Sequence, residues 1–105
     1  MPQYILLMTS NPKPGQDEAY QDWYDNQHLA DVCRIPGITG GRRYVADEAV
    51  QMTTVGRNLA MYDLDTDDPA AVIAELRRRA GGAQMPLSPA FDSTSLQMSL
   101  FRRRE

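Results

Sequence analysis

WYDNQHLADVCRIPGITGGRRYVA, residues 23–46, decides the fold. A helix-compatible run ends at the Pro36-Gly37 pair, and β-branched and aromatic residues follow at once, so a helix hands over directly to a strand. The helix begins near Gln16, with Asp17 and Glu18 early, where carboxylates favour the positive end of the dipole. It stops near Ile35, after about five turns. In the strand, Ile38 to Ala46, the Gly40-Gly41 pair marks a bulge or a close approach to the backbone.

Upstream, Tyr4 to Thr9 (YILLMT) is a short apolar run closed by a loop rich in Pro and Gly, which reads as a buried strand. Downstream, Arg57 to Leu64 (RNLAMYDL) is a further strand, joined to its predecessor by a polar connection from Asp47 to Gly56. Asp67, Asp68 and Pro69 start a second helix that Gly81-Gly82 ends. Ala83 to Ser93 is a loop long enough to cover a pocket mouth, and Ser95 to Phe101 alternates with the strand period of two. The order β-α-β-β-α-β predicts an α+β, ferredoxin-like domain over residues 1–105: a four-stranded antiparallel sheet with helices on one face. Its other face calls for a cover, commonly a partner's sheet.

A chain of 105 residues, 42% hydrophobic and 24% charged, suits one ordinary soluble domain. A domain this small buries only roughly 60 to 70% of its unfolded surface, so a sizeable cavity calls for support from a second subunit. A net charge of -3 gives no general attraction to nucleic acid. Arg77 to Arg79 suit a helix C-terminus, and Arg102 to Arg104 a frayed end. Cys33 stands alone, which excludes an intrachain disulfide or cysteine-rich metal site and fits a reducing cytoplasm. The apolar run near the N-terminus is too short to span a membrane and lacks an export leader.

The segment WYDNQH, followed by one ending in IPG and then by ITGGRRY, resembles the EthD-like branch of the dimeric α+β barrel superfamily. The resemblance covers most of the chain. It implies a homodimer whose sheets pack face to face, and a cleft in each subunit between sheet and helices. Superfamily members include cofactor-free monooxygenases, lactone isomerases, polyketide cyclases, dehydratases and heme-handling proteins, so the shared fold decides little about chemistry. A first-helix histidine often faces the cleft in EthD-like proteins, and His28 inherits that expectation.

His28 is the only histidine, and an imidazole exchanges protons near neutral pH. On a helical wheel Tyr20, Tyr24 and His28 form one stripe at spacing four, close to Gln27, Asp31 and Ile35. Trp23 falls on a second stripe with Ala19, Ala30 and Cys33, at the cleft edge or a subunit contact. Asp25 or Asp31, each three positions from His28, can orient its ring, and Tyr24 can donate to a substrate oxygen. The bland alternative pairs His28 with a carboxylate in an ordinary helix.

Arg42 and Tyr44 share one strand face and Arg43 and Val45 the other, so one arginine points inward, to hold an anion or simply an acidic side chain. Tyr62 shares its face with Ala60 and Leu64 and is a candidate second donor; Met61 shares the opposite face with Leu59 and Asp63. Tyr20, Trp23, Arg43, Met61, Met85 and Phe91 are the candidate substrate contacts, the methionines also suiting plain core filling. One histidine among scattered carboxylates gives no metal-ligand spacing, and no Gly-rich phosphate loop is present.

These residues lead to a cofactor-independent lyase or isomerase that moves a proton next to a carbonyl of a small, largely apolar, oxygenated molecule, such as a polyketide-like or aromatic intermediate. His28 is its acid-base group, and Tyr24 or Tyr62 the donor to the oxyanion. The alternatives are a cofactor-free monooxygenase of the same fold and a non-catalytic dimeric binding or accessory protein.

Overall fold

The computed structural model describes residues 3–50 and 56–104. Four strands, β1 (Gln3–Pro12), β2 (Ile38–Val45), β3 (Asn58–Asp65) and β4 (Phe91–Arg102), form one antiparallel sheet in the order β2-β3-β1-β4. Two helices complete the β-α-β-β-α-β order. The first, α1, runs over 17–33 without a break in three segments: α-helical Asp17–Trp23, π-helical Tyr24–His28 and α-helical Leu29–Cys33. The second, α2, is Pro69–Arg79. Of the connection expected from Asp47 to Gly56, residues 51–55 lie outside those described.

Alternation along the strands separates the two faces of the sheet. Leu6 and Met8 of β1 and Ala60, Tyr62 and Leu64 of β3 are buried beneath the helices, while their neighbours Leu7, Leu59 and Met61 are only half-buried on the opposite face. Tyr20, Tyr24 and Val32 of α1, Ile35 just after it, and Val72 and Leu76 of α2 close the core. Ile38, Met85 and Ala90 complete it.

The helix boundaries have local causes. Asp68 caps α2 by accepting a hydrogen bond from the Ala71 N–H at 3.1 Å, and Pro69 takes the first helical position, where a missing N–H costs nothing. After α1 the chain turns at Gly37, whose φ of +98° suits glycine; a Cβ there would also meet Val72 Cγ2 at 2.8 Å. The α1-to-β2 turn thus passes close against Val72 of α2. At the far end of α2, Arg78 and Arg79 fold back onto Glu75, each at 2.6 Å, and hold its carboxyl down at about 2.

Several boundaries differ from expectation, and β1 itself runs on to Pro12, through residues expected to open the loop. Strand β4 begins at Phe91, inside the segment expected to be loop, because Asp92 and Phe91 pair with Asn11 and Pro12 across an irregularity in β1. The helix closes at Cys33, two residues early, with Ile35 donating its N–H to Val32. No helix among the described residues is long and apolar enough to cross a membrane.

Candidate functional site

The π-helical turn sets the geometry. Leu29 donates its backbone N–H to the Tyr24 carbonyl, five residues back rather than four, which widens the helix at this point. In an uninterrupted α-helix, five steps carry a side chain about 140° around the axis. The widened turn instead brings Trp23 over His28: the rings stack with centroids 4.4 Å apart and planes 25° from parallel. Tyr24 meets the same imidazole edge-on at 4.9 Å and 85°, and Tyr20 continues the aromatic column at 5.5 Å from Tyr24. Phe91, at the start of β4, lies 5.6 Å from Trp23 on the outer side.

From the sheet, Arg43 reaches up into this column. Its guanidinium carbon is 4.3 Å from the centre of the Tyr24 ring, a cation-π distance. One terminal nitrogen donates to Asp25 Oδ1 at 2.6 Å, the other to Gln21 Oε1 at 2.7 Å and Asn58 Oδ1 at 3.4 Å. Gln21 in turn donates to Asn58 Oδ1 at 2.9 Å, and Tyr20 shares a 2.6 Å hydrogen bond with Ser10 of β1. These polar ties fix which side of α1 meets the sheet.

Buried polar atoms are almost always hydrogen-bonded, and each exception asks for an explanation. Among the described residues four buried side-chain atoms make no hydrogen bond of good geometry: His28 Nδ1, Asp31 Oδ2, Arg43 Nε and Tyr62 Oη, the last within reach of the Tyr24 hydroxyl. All four belong to the chemistry-bearing residues picked out in the sequence. They are also linked in space, since Arg43 and His28 both lie against Tyr24, while the charges of Asp31 and Arg43 both act on His28. His28 is only 5% exposed and Tyr62 not at all.

Burial dominates the electrostatics. It lowers the His28 pKa to about 4, against the pull of the Asp31 carboxylate, and the Arg43 cation adds to the lowering. The imidazole is therefore neutral at pH 7. Burial also raises Tyr24 to about 12 and pushes Tyr62 well above the ordinary phenol, with the neighbouring Tyr24 adding to the rise. Both phenols stay protonated and can donate. A neutral base, a second phenol and a fixed cation thus each lie beside Tyr24.

The remaining candidates are dispersed. Asp25 does not orient His28: its exposed carboxylate is committed to Arg43. Asp31 is buried on the turn after His28, with Oδ1 bound to Arg34 at 2.6 Å and Oδ2 unpaired; no direct hydrogen bond joins it to the imidazole among the described residues. Met61 is corrected outright, because strand alternation puts it on the opposite sheet face, where its sulfur accepts from Arg42 at 3.4 Å. Met85 is fully buried in the core, next to Pro86. Sequence reasoning missed Gln21 and the buried Asn58, although Asn58 shares its strand parity with Ala60 and Tyr62.

Two grooves are open elsewhere. One, about 470 Å³, is lined by Pro36, Gly37, Thr66, Val72, Glu75 and Arg79 among others; the second, about 610 Å³, by Gly15, Gln16, Glu18, Ala19 and Asp22. Neither touches His28. Among the described residues no three His, Cys, Asp or Glu side chains converge as a metal site would require.

No family model matches the chain, and no curated protein matches it in sequence. Solved structures do. An ethyl tert-butyl ether D (EthD) family protein from Bacillus halodurans is 15% identical, with a TM-score of 0.54, over 99% of this chain and 100% of that one. The heme-degrading MhuD of Mycobacterium tuberculosis, with two hemes bound in its active site, is 13% identical with a TM-score of 0.63, over 95% of this chain and 94% of that one. A substituted MhuD with two manganese protoporphyrin IX per active site is 12% identical with a TM-score of 0.61, covering 93% and 91%. The chain therefore has the ferredoxin-like α+β fold of these proteins, which is the fold the EthD-like resemblance implies.

Proposed function

We propose that this chain is a cofactor-independent enzyme that transfers a proton next to a carbonyl in a small, largely apolar, oxygenated substrate. The observation that carries the reading is the cluster of unpartnered buried polar atoms on His28, Asp31, Arg43 and Tyr62. A protein keeps such atoms unpaired at a cost of about 1 to 3 kcal/mol each, which a ligand that supplies the missing partners offsets.

In this mechanism the neutral His28 ring takes a proton from the carbon beside the carbonyl. The bonding pair moves into the carbon-carbon bond and the carbonyl pair onto oxygen. Tyr62, or Tyr24, donates a hydrogen bond to that oxygen, and the Arg43 cation stabilises the enolate. Asp31 favours the imidazolium once formed. Return of the proton to another atom gives isomerisation; expulsion of hydroxide or attack on a second carbonyl gives dehydration or cyclisation. The aromatic rings gathered at His28 suit a polyketide-like or aromatic substrate. Enolisation requires only a base and oxyanion donors, so the reaction is assigned to the side chains alone. The same reading includes a homodimer joined through the sheet face that the helices leave open.

Hydrogen-deuterium exchange next to the carbonyl, followed by NMR on a panel of aryl ketones and β-ketoesters in D₂O, tests the proposal. His28→Ala should slow catalysed exchange by at least about tenfold while the fold persists. Exchange at the wild-type rate in that variant removes His28 from the chemistry. Dioxygen uptake on turnover would favour a monooxygenase, and binding of panel members without exchange a ligand-binding protein. Because two of the structural neighbours hold porphyrins, a hemin titration belongs beside these: a Soret shift present in wild type and absent in His28→Ala would replace the proposal with porphyrin binding.

A further inference from the structure

We infer that Trp23 is the gate of the His28 site, held shut by the loop that precedes β4. The π-helical turn stacks Trp23 flat on His28, at 4.4 Å and 25°. The indole is the outer partner: it is half-buried, whereas His28 is 5% exposed. Its Nε1–H donates to the Pro86 carbonyl at 3.1 Å, in an exposed position, and Phe91 packs at 5.6 Å.

The latch crosses from α1 to a loop anchored at both ends. On one side the Ala80 to Met85 bridge and the fully buried Met85 pin the chain; on the other, Ala90 is buried and donates its N–H to Ser88 Oγ at 3.0 Å. Between these anchors Pro86 and Leu87 are exposed, so swinging Trp23 away breaks its solvent-facing hydrogen bond and its ring contacts with Tyr20, Tyr24, His28 and Phe91, and leaves the Met85 and Ala90 anchors in place. Opening exposes the imidazole face that the indole covers. A flat ligand that replaces the indole would stack on the imidazole in its place. Such an opening belongs to the low-energy local motions from which ligand access is usually drawn.

The functional meaning of the gate rests on the reading of His28 as the reactive group, but its existence is measurable without a substrate. His28 is the only histidine, so carbethoxylation by diethyl pyrocarbonate, read at about pH 7, reports access to this one ring. Wild type should react far more slowly than N-acetylhistidine. Trp23→Phe keeps a stacked ring and loses the hydrogen bond, and should react about three- to tenfold faster than wild type, the population change that one ordinary hydrogen bond brings. Trp23→Ala should react faster still. Wild type reacting like free histidine, or Trp23→Phe reacting no faster than wild type, overturns the gate. If the Trp23 variants behave as expected while His28→Ala still catalyses exchange, the gate stands and the proposed chemistry falls.

Discussion

Gly41 on β2 lies flush against the ring of Tyr62 on β3: a Cβ added at Gly41 would fall 2.7 Å from Tyr62 Cδ1, 2.9 Å from Cε1 and 3.0 Å from Cys33 Sγ. Tyr62 is fully buried. Gly41→Ala should therefore cost about 1 to 3 kcal/mol in urea unfolding, the usual penalty of an overpacked core, and displace the Tyr62 hydroxyl. Gly40 is the control, since its Cβ would meet nothing nearer than Asp63 Oδ2 at 3.6 Å. Equal stability losses in the two variants would show that the Tyr62 ring yields.

The sole histidine gives a pH dependence that can be isolated. Its folded pKa, near 4, lies below the ordinary imidazole value of 6.5, so the unfolded chain takes up a proton that the folded chain resists. The stability from keeping the ring neutral is complete above about pH 6.5 and is lost as pH falls towards about 4. Relative to His28→Gln, which does not titrate, wild type should lose on the order of 2 kcal/mol between about pH 7.5 and pH 5. Parallel pH profiles for the two proteins would place the imidazole in water.

What the sequence revealed follows from which periods are rigid. Strand alternation has no slack, so the parity that put Arg43 opposite Arg42, and Tyr62 opposite Met61, holds residue by residue, as does the bulge expected at Gly40-Gly41, where the register shifts between Ile38 and Gly40. Listing Met61 as a substrate contact ignored that same rule. The helical period is softer. A wheel at 100° per residue separates Trp23 from His28, and nothing in YDNQH signals a turn closed over five residues, so the stack at the centre of the site was illegible. Asp25 and Asp31 are equally spaced from His28; what divides them is Arg43, which arrives from a strand and claims Asp25. A single-element argument cannot see such a partner.

The open face of the sheet carries the last prediction. Ile5, Leu7, Leu59 and Met61 are half-buried there, Tyr44 and Phe101 are each 46% exposed, and Arg42 and Asp63 pair across the strands at 2.8 Å. With strands about 4.8 Å apart and about 3.3 Å per residue, four strands of about eight residues present roughly 19 by 26 Å of surface. Two such faces, with their side-chain relief, approach the ~1,200 Å² that the smaller stable interfaces bury in total. Sedimentation should therefore give about twice the 11.8 kDa chain mass. Leu7, whose register partners are Met61 and Ser99, lies in the middle strands of this face, and Leu7→Asp should yield monomers because a buried carboxylate without a partner costs more than the contact returns. Should that variant fail to fold, Phe101→Asp at the more exposed edge makes the same test with less risk to the core. A monomeric wild type, or dimers that persist in both variants, would mean that this face is not where two copies meet, and support for the His28 cluster would have to come from within one chain.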